Sequence, residues 1–341
     1  MDAGKRCFLL LLSVCVCAAA PVEEISGAKE ENGHWFYWLS CASKLDQPCA
    51  KYLNAELVRR DYSTRSAQKV DMVFMAEAMG GICSSARGTN ASYQPARLKI
   101  LDVGAGPLST IGTHCGDTPV ELVPVDILAP MYDALLARLD IEPRVRTQYV
   151  PMEEIANRFA PNYFDLVTTF NAIDHAQDPV EAVSQMIRVV KPGKNLNVFV
   201  MVNESTFEHG FGMHQWNIFA DERGHFFIAN HKYDNVTDIT EKLRNVASIT
   251  HEYQDTSVHP HPTLSPAQCQ EKWKVRNCAI MVKIKKFIGT GGQRGASSKK
   301  GTPEGGPAMK TGSIHRGNHP NSQTHHENAM RKRSKTTDAG R

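Results

Sequence analysis

Four groups of residues carry chemistry by type and spacing. In "LKILDVGAGPLSTIG" (98–112) an apolar run ends in Gly104 and Gly106, two residues apart. Glycines at the end of a strand let the backbone close around a small ligand. Twenty residues past Gly106 stands Asp126, at the end of "VELVPVDI". A carboxylate placed there can accept both hydroxyls of a ribose. The third group is "FDLVTTFNAIDHAQDP", which brings Asn171, Asp174 and His175 just past another apolar run. The fourth is "NESTFEHGFGMHQWN" (203–217), with His214 and, more weakly, His209. An imidazole with a carboxylate beside it is the usual pairing for taking a proton near neutral pH. Each feature also has a plain structural role: an ordinary strand–helix turn, a helix N-cap, or a core histidine.

The loop discriminates among ligands. A dinucleotide-binding turn has G-x-G-x-x-G, whereas here the third glycine position is Ser109. Asp102, just before the loop, suits a ligand carrying a cationic amino acid better than a pyrophosphate. The ribose role of Asp126 does not by itself separate a nicotinamide from an adenosyl cofactor. The chain has no C-x-x-C pair and no evident cluster of carboxylates, so no metal centre is expected.

The elements that must hold these groups follow from periodicity. "LKILDV" (98–103), "VELVPVDI" (120–127), "TQYV" (147–150), "YFDLVTTF" (163–170) and "NLNVFVMV" (195–202) are the predicted strands. "YDALLARL" after the second and "PVEAVSQMIRVV" (179–190) after the fourth are helical, the latter closed by Lys191-Pro192-Gly193. Strands alternating with helices predict an α/β domain, a mostly parallel sheet covered on both faces. "VASITHEYQD" (246–255) and "NCAIMVKIKK" (277–286) complete it as an antiparallel pair. The apolar spacing between His34 and Met79, with Trp35, Trp38 and Leu39 on one face, predicts a small helical segment ahead of the sheet.

The ordered set "ILDVGAG", "VPVDIL", "FDLVTTFNAIDH" and "RVVKPGK" resembles the class I S-adenosylmethionine-dependent methyltransferases over about Arg97–Met201, with the last strands extending the likeness to Lys286. The resemblance implies a Rossmann-like fold with a seven-stranded sheet and S-adenosyl-L-methionine as cofactor. It implies that Gly104 and Gly106 line the methionine moiety, that Asp102 orders their loop, and that Asp126 binds ribose. It also implies that Glu153 contacts adenine and that Asn171 lies beside the methionine ammonium. Pro107, Leu108 and Ser109 replace a longer glycine loop, and Lys194 replaces the second glycine of the frequent K-P-G-G. The stretch 203–217 resembles a segment of some bacterial methyltransferases associated with glycans. The implied reaction is methylation of a hydroxyl on a glycan or other small acceptor, with His175 as first candidate base, Asp174 as its orienter or alternate, and His214 as the second candidate. A non-catalytic, methyltransferase-like binding protein and a nicotinamide-dependent oxidoreductase are the rival readings.

The ends of the chain bear on compartment. Lys5 and Arg6 precede an uncharged run, Cys7–Ala20, that ends in small residues, the pattern of an export signal over residues 1–20. Of nine cysteines, three lie in that segment. The even remainder suits an oxidising compartment, with Cys41–Cys49 and Cys269–Cys278 as natural local pairs, although sequence does not fix connectivity. Sequons stand at Asn90, Asn203 and Asn235. The expected organisation is a signal (1–20), a helical segment (21–92), the methyltransferase-like domain (93–288) and a disordered basic tail (289–341). From Gly289 onward ten Lys/Arg face three Asp/Glu, so the tail is +7 and, with a total of +3, the rest of the chain is −4. Nucleic acid is therefore not an expected partner, whereas the tail can contact acidic glycan or a membrane surface. The expected location is the secretory pathway: endoplasmic reticulum or Golgi lumen, or outside the cell.

Overall fold

The computed structural model describes residues 25–44, 97–115, 118–257, 263–272 and 277–288. The expected signal, the basic tail, most of the 21–92 segment, Asn90, Cys49 and Cys83 lie outside them.

Helix α1 (Ala28–Lys44) leads into a nine-stranded sheet. Its strands are β1 (Leu98–Val103), β2 (His114–Cys115), β3 (Thr118–Asp126), β4 (Gln148–Tyr149), β5 (Phe164–Phe170) and β6 (Val190–Met201), then β10 (Ala247–Asp255), β11 (Thr263–Leu264) and β12 (Cys278–Lys286). Between β6 and β10 the chain forms a second, three-stranded sheet from β7 (Trp216–Ala220), β8 (Phe226–Asn230) and β9 (Val236–Asp238). The remaining helices are α2 (Ala129–Leu139), α3 (Ile155–Arg158), α4 (Pro179–Val189), α5 (Glu204–Phe207), α6 (Ile239–Leu243) and α7 (Pro266–Lys272).

In the main sheet the order is β11-β10-β12-β6-β5-β1-β3, with β4 and β2 both on β3. Pairings from β4 through β6 are parallel; β12 runs antiparallel between β6 and β10. Removing the two-residue edge pieces β2 and β11 leaves the seven strands expected from sequence. β1 is mostly apolar because it sits mid-sheet: Ile100, Leu101 and Val103 have no exposure, and Lys99 and Asp102 are its two charged residues. α4 starts where its signals say. Pro179 occupies the first turn, and the Asp178 carboxylate accepts the Glu181 N–H at 3.0 Å, a cap whose loss costs about 1 kcal/mol. Met186, Val183 and Ala182 on its inner face are buried against the sheet.

Two elements differ from expectation. Lys191-Pro192-Gly193 does end α4, but the residues belong to an irregular first half of β6, which shifts register against β5 between Phe164 and Leu166. The β7–β9 sheet was not anticipated. It is no surface appendage, since Ile218, Phe226 and Ile228 are at most 1% exposed and join the main core.

β1 pairs with β3 on one side and β5 on the other, so successive crossovers leave it in opposite directions. The carboxyl ends of these three strands therefore open a crevice, where ligands bind in folds of this type. Helix α1 packs beside it through Leu39, Trp35 and Phe36 against Leu135, Leu136 and Leu139 of α2.

Candidate functional site

A cavity of about 530 Å³ occupies this crevice. Asp102, Gly104, Gly106, Asp126, Glu153, Asn171, His175 and His214 all line it. Residues scattered through the sequence are brought together because each lies at or just past the carboxyl end of a strand or in the segment after β6.

The floor is the β1–α loop. Gly104 and Gly106 have φ of +69° and +64°, conformations that L side chains rarely adopt. Space excludes a side chain as well: a Cβ on Gly104 would overlap the Ala172 side chain, and one on Gly106 would come within 2.7 Å of the Trp35 ring. The N–H groups of Gly104 and Ala105 donate to the Val125 carbonyl at 2.9 and 3.1 Å, stitching the loop to β3. Asp102 is 3% exposed, and its Oδ2 accepts the Ser109 hydroxyl at 2.5 Å; Ser109 Oγ in turn accepts the Ile111 N–H. The serine that replaces the third glycine of a dinucleotide turn thus ties down the loop.

Asp126 ends β3 with both oxygens engaged: Oδ2 accepts the Gly106 N–H at 3.1 Å and Oδ1 the Leu128 N–H at 2.8 Å. Burial pushes its carboxyl up to about 6, against the opposing pull of those two N–H groups. Glu153, in the 3-10 turn Met152–Glu154, lines the cavity while one oxygen accepts the Asp178 N–H at 3.0 Å. Asn171 takes a left-handed φ of +48° where the chain leaves β5, and its Oδ1 accepts the Met201 N–H. That bond joins the ends of β5 and β6 at the cavity wall.

Asp174, His175 and His214 form a compact group. The first two lie on the 3-10 turn Ile173–His175; His214 arrives from the loop before β7. The Gln215 N–H donates to the Asp174 carbonyl at 3.1 Å, and the Trp216 Nε1–H to the Ala176 carbonyl at 2.8 Å, which clamp the two segments. Asp174 has no solvent exposure. His214 Nδ1 lies 2.6 Å from Asp174 Oδ2 and 3.1 Å from His175 Nε2; His175 Nε2 is 3.7 Å from the same carboxylate oxygen. Burial works to raise the Asp174 carboxyl, but the nearby His175 and His214 outweigh it and hold it below its ordinary value. For His214, burial disfavours the charged form, and the Asp174 carboxylate overcomes that and leaves the imidazole more basic than usual. The expectation of no metal centre rested on the lack of a C-x-x-C pair and of clustered carboxylates. The fold instead assembles a mixed Asp–His–His group whose ligand atoms all lie within 4.8 Å of one another.

His209 is exposed, with a φ of +57°, and does not line the cavity. Sequence reasoning missed the polar contribution of α1, which brings Glu30, Glu31 and His34 to the rim beside Trp35, a candidate apolar face for the acceptor. Their polar spacing on one helical turn was the available signal, but the apolar stripe of the same helix dominated the pattern. Trp35 donates to Glu31 at 2.7 Å and meets Tyr132 edge-on, while Phe211, 61% exposed, stands at the mouth.

Residues 101–197 match the sequence profile of a family described as a methyltransferase domain. A ubiquinone biosynthesis O-methyltransferase from Alkalilimnicola ehrlichii is 30% identical over 116 residues, 34% of this chain and 46% of that protein. The chain thus spans about half the length of that curated relative. Among solved structures, the YcgJ protein from Bacillus subtilis aligns at 14% identity with a TM-score of 0.35, covering 62% of this chain and 99% of that one. A phosphoethanolamine N-methyltransferase from Haemonchus contortus, bound to S-adenosyl-L-methionine, aligns at 17% with a TM-score of 0.36 over 57% of this chain and 50% of that one.

Proposed function

Because the α/β domain belongs to the class I S-adenosylmethionine-dependent methyltransferases, we propose that this protein transfers the methyl group of S-adenosyl-L-methionine to a hydroxyl of a small acceptor. The observation that carries the reading is the convergence on one cavity of the Gly104–Gly106 loop, the Asp126 carboxylate and the Asp174–His175–His214 group.

The Gly104–Gly106 loop would hold the cofactor's methionine portion, with Asn171 toward its ammonium. Asp126 would accept the ribose hydroxyls with the lone pairs its two backbone N–H bonds leave over, and Glu153 would meet the adenine. The sulfonium is already an activated donor, so the protein must align acceptor oxygen, methyl carbon and sulfur and exclude water. It must also strip the acceptor of its proton. A proton on His214 Nδ1, donated to Asp174, fixes the tautomer and leaves Nε2 as the basic nitrogen; His175 stands beside it. The products are the methyl ether, S-adenosylhomocysteine and a proton. The name of the bacterial relative, an O-methyltransferase, supports oxygen as the accepting atom.

A glycan or another small hydroxylated molecule in the secretory pathway is the acceptor we favour. The export-like N-terminus supports this, as does the Cys269–Cys278 disulfide, which joins α7 to the start of β12. Phe211 at the mouth offers a flat apolar face of the kind that sugar rings stack on. Calorimetric titration with S-adenosylmethionine and NAD, followed by acceptor screening with a labelled methyl donor, tests the proposal. Binding of NAD alone, or cofactor binding with no S-adenosylhomocysteine formed on any hydroxylated acceptor, overturns it.

A further inference from the structure

The Asp174–His175–His214 group is over-supplied with acceptors. The carboxylate only accepts, so its 2.6 Å contact requires a proton on His214 Nδ1. That same nitrogen lies 3.1 Å from His175 Nε2, so its one proton must serve two lone pairs at once. Asp174 is fully buried, and a buried carboxylate is costly unless donors or positive charge meet it. Among the described residues its Oδ1 has no hydrogen-bond partner, which leaves the charge to be met at Oδ2. Three lone-pair atoms converging from a carboxylate and two imidazoles are what a divalent cation meets.

Bonds of about 2.0–2.2 Å at tetrahedral angles set ligand atoms roughly 3.3–3.6 Å apart. The 3.1 and 3.7 Å separations lie close to that range, and the 2.6 Å His214–Asp174 pair, now at hydrogen-bond distance, opens by about 0.7–1 Å to admit the cation. The ligands come from two segments clamped by the Gln215 and Trp216 bonds, so the group is held rather than assembled on demand. The His175 and His214 side chains are 12% and 20% exposed and line the cavity, which provides a path of entry and an open coordination position. The carboxylates of Glu204 and Glu208 add negative potential around His214.

We propose that Asp174 Oδ2, His175 Nε2 and His214 Nδ1 bind a divalent cation of the zinc type, with its open position facing the acceptor. Two imidazoles and one carboxylate form a donor set suited to borderline first-row cations rather than to calcium or magnesium. The inference rests on the methyltransferase reading for its chemistry and replaces only its proton-transfer step: with the cation bound, His214 Nδ1 gives its lone pair to the metal instead of a proton to Asp174, and the cation rather than a free imidazole acidifies the hydroxyl. The acceptor hydroxyl occupies the open position, and its proton becomes acidic and leaves to solvent through the cavity mouth. The oxygen's electron pair then forms the bond to the methyl carbon, and the carbon–sulfur electrons return to sulfur. The substrate class that follows is a small hydroxylated molecule able to bring its oxygen to the cation within the cavity.

The test uses the full chain, stripped with a chelator and dialysed against Zn²⁺ or Co²⁺. Expected are one retained Zn²⁺ per chain by elemental analysis and a Co²⁺ spectrum without thiolate charge transfer. Zn²⁺ affinity should fall by at least about a hundredfold in His175→Gln and His214→Gln, since even an outer-shell change costs ten- to a hundredfold. S-adenosylmethionine binding should stay within a few-fold of wild type in both. If either variant fails to fold, nitrogen couplings in the spectrum of the Cu²⁺-loaded wild type decide, and two imidazoles are required. No retained metal, undiminished affinity in the folded variants, a thiolate signature, or the absence of imidazole coupling overturns the site. The cofactor titration judges the other reading separately. A chain that binds Zn²⁺ but no S-adenosylmethionine refutes the methyltransferase function and keeps the site; one that binds the cofactor but no metal does the reverse.

Discussion

Asp126 offers the sharpest test of the cofactor site, because its protonation links binding, pH and stability. In the free protein burial raises its carboxyl from the ordinary 3.8 to about 6. A carboxyl raised on folding contributes stability that is complete below about 3.8 and is lost as pH rises through 6. At 1.36 kcal/mol per unit, the gap amounts to roughly 3 kcal/mol, an upper bound because the side chain keeps some opening to the cavity. A ribose whose two hydroxyls donate to Asp126 favours the ionised form and draws the pKa back down. Near pH 6, where about half of the free chains carry the proton, binding of S-adenosylmethionine should release about half a proton. At pH 7.5 release through this group should be close to zero. Below pH 6 the affinity should fall by about tenfold per unit. Calorimetry in buffers of different ionisation enthalpy measures the release directly. Asp126→Asn is the reference, because the cofactor's own groups titrate identically against both proteins. The variant should bind roughly ten- to a hundredfold more weakly, the cost of losing bonds to a charged group. It should also lose the pH dependence of denaturant stability specific to Asp126 between pH 4 and 6.5. Equal proton release by the two proteins, or equal affinity at pH 7.5, would refute the placement of the ribose.

Three other outcomes can be checked with the same preparations. His175→Gln and His214→Gln should leave cofactor affinity intact while S-adenosylhomocysteine formation falls by about 10²–10⁴, the range for losing acceptor activation; full turnover in both would make the group structural. Gly104→Ala places a side chain at φ +69° and against Ala172, so thermal unfolding should show a loss of about 1–3 kcal/mol and calorimetry a loss of cofactor binding. Expressed in a secreting eukaryotic cell, the chain should lose about its first twenty residues and carry the Cys269–Cys278 bridge; an intact N-terminus with free thiols in the mass spectrum would move it out of the secretory pathway.

Much of the frame was legible because seven of the nine strands of the main sheet announce themselves. "LKILDV" reads as a strand because four of its six residues are apolar, as a buried mid-sheet strand requires, and β1 spans those same six residues. α4 was legible from a proline start and the Lys-Pro-Gly stop. The β7–β9 sheet was not, though "NIFADERGHFFIAN" holds two apolar runs about a glycine-bearing turn, the ordinary mark of a hairpin. The expected βα alternation drew attention past it. The rim from α1 was hidden for another reason. Its polar residues, Glu30, Glu31 and His34, acquire meaning only when α1 packs on α2 beside the crevice, a contact between segments far apart in sequence.

The same distinction between local and long-range information explains the Asp–His–His group. Asp174 and His175 were visible as a pair because both follow β5, whereas His214 looked like a competitor for the same role. The structure makes them partners. His214 reaches Asp174 only because the segment after β6 doubles back, fixed by the Gln215 N–H on the Asp174 carbonyl and by the Trp216 indole on Ala176. The unanticipated β7–β9 sheet holds that segment in place: Trp216 is its first residue, and Ile218, two positions on, is wholly buried in the main core. The inserted sheet thus anchors one ligand of the candidate centre. A change that loosens β7, such as Ile218→Ala, should therefore destabilise the fold by about 2–5 kcal/mol and also weaken Zn²⁺ binding, although residue 218 touches no metal-ligating atom. If stability falls while Zn²⁺ affinity holds, the histidine is positioned by its own loop and the structural role assigned to the insert is wrong.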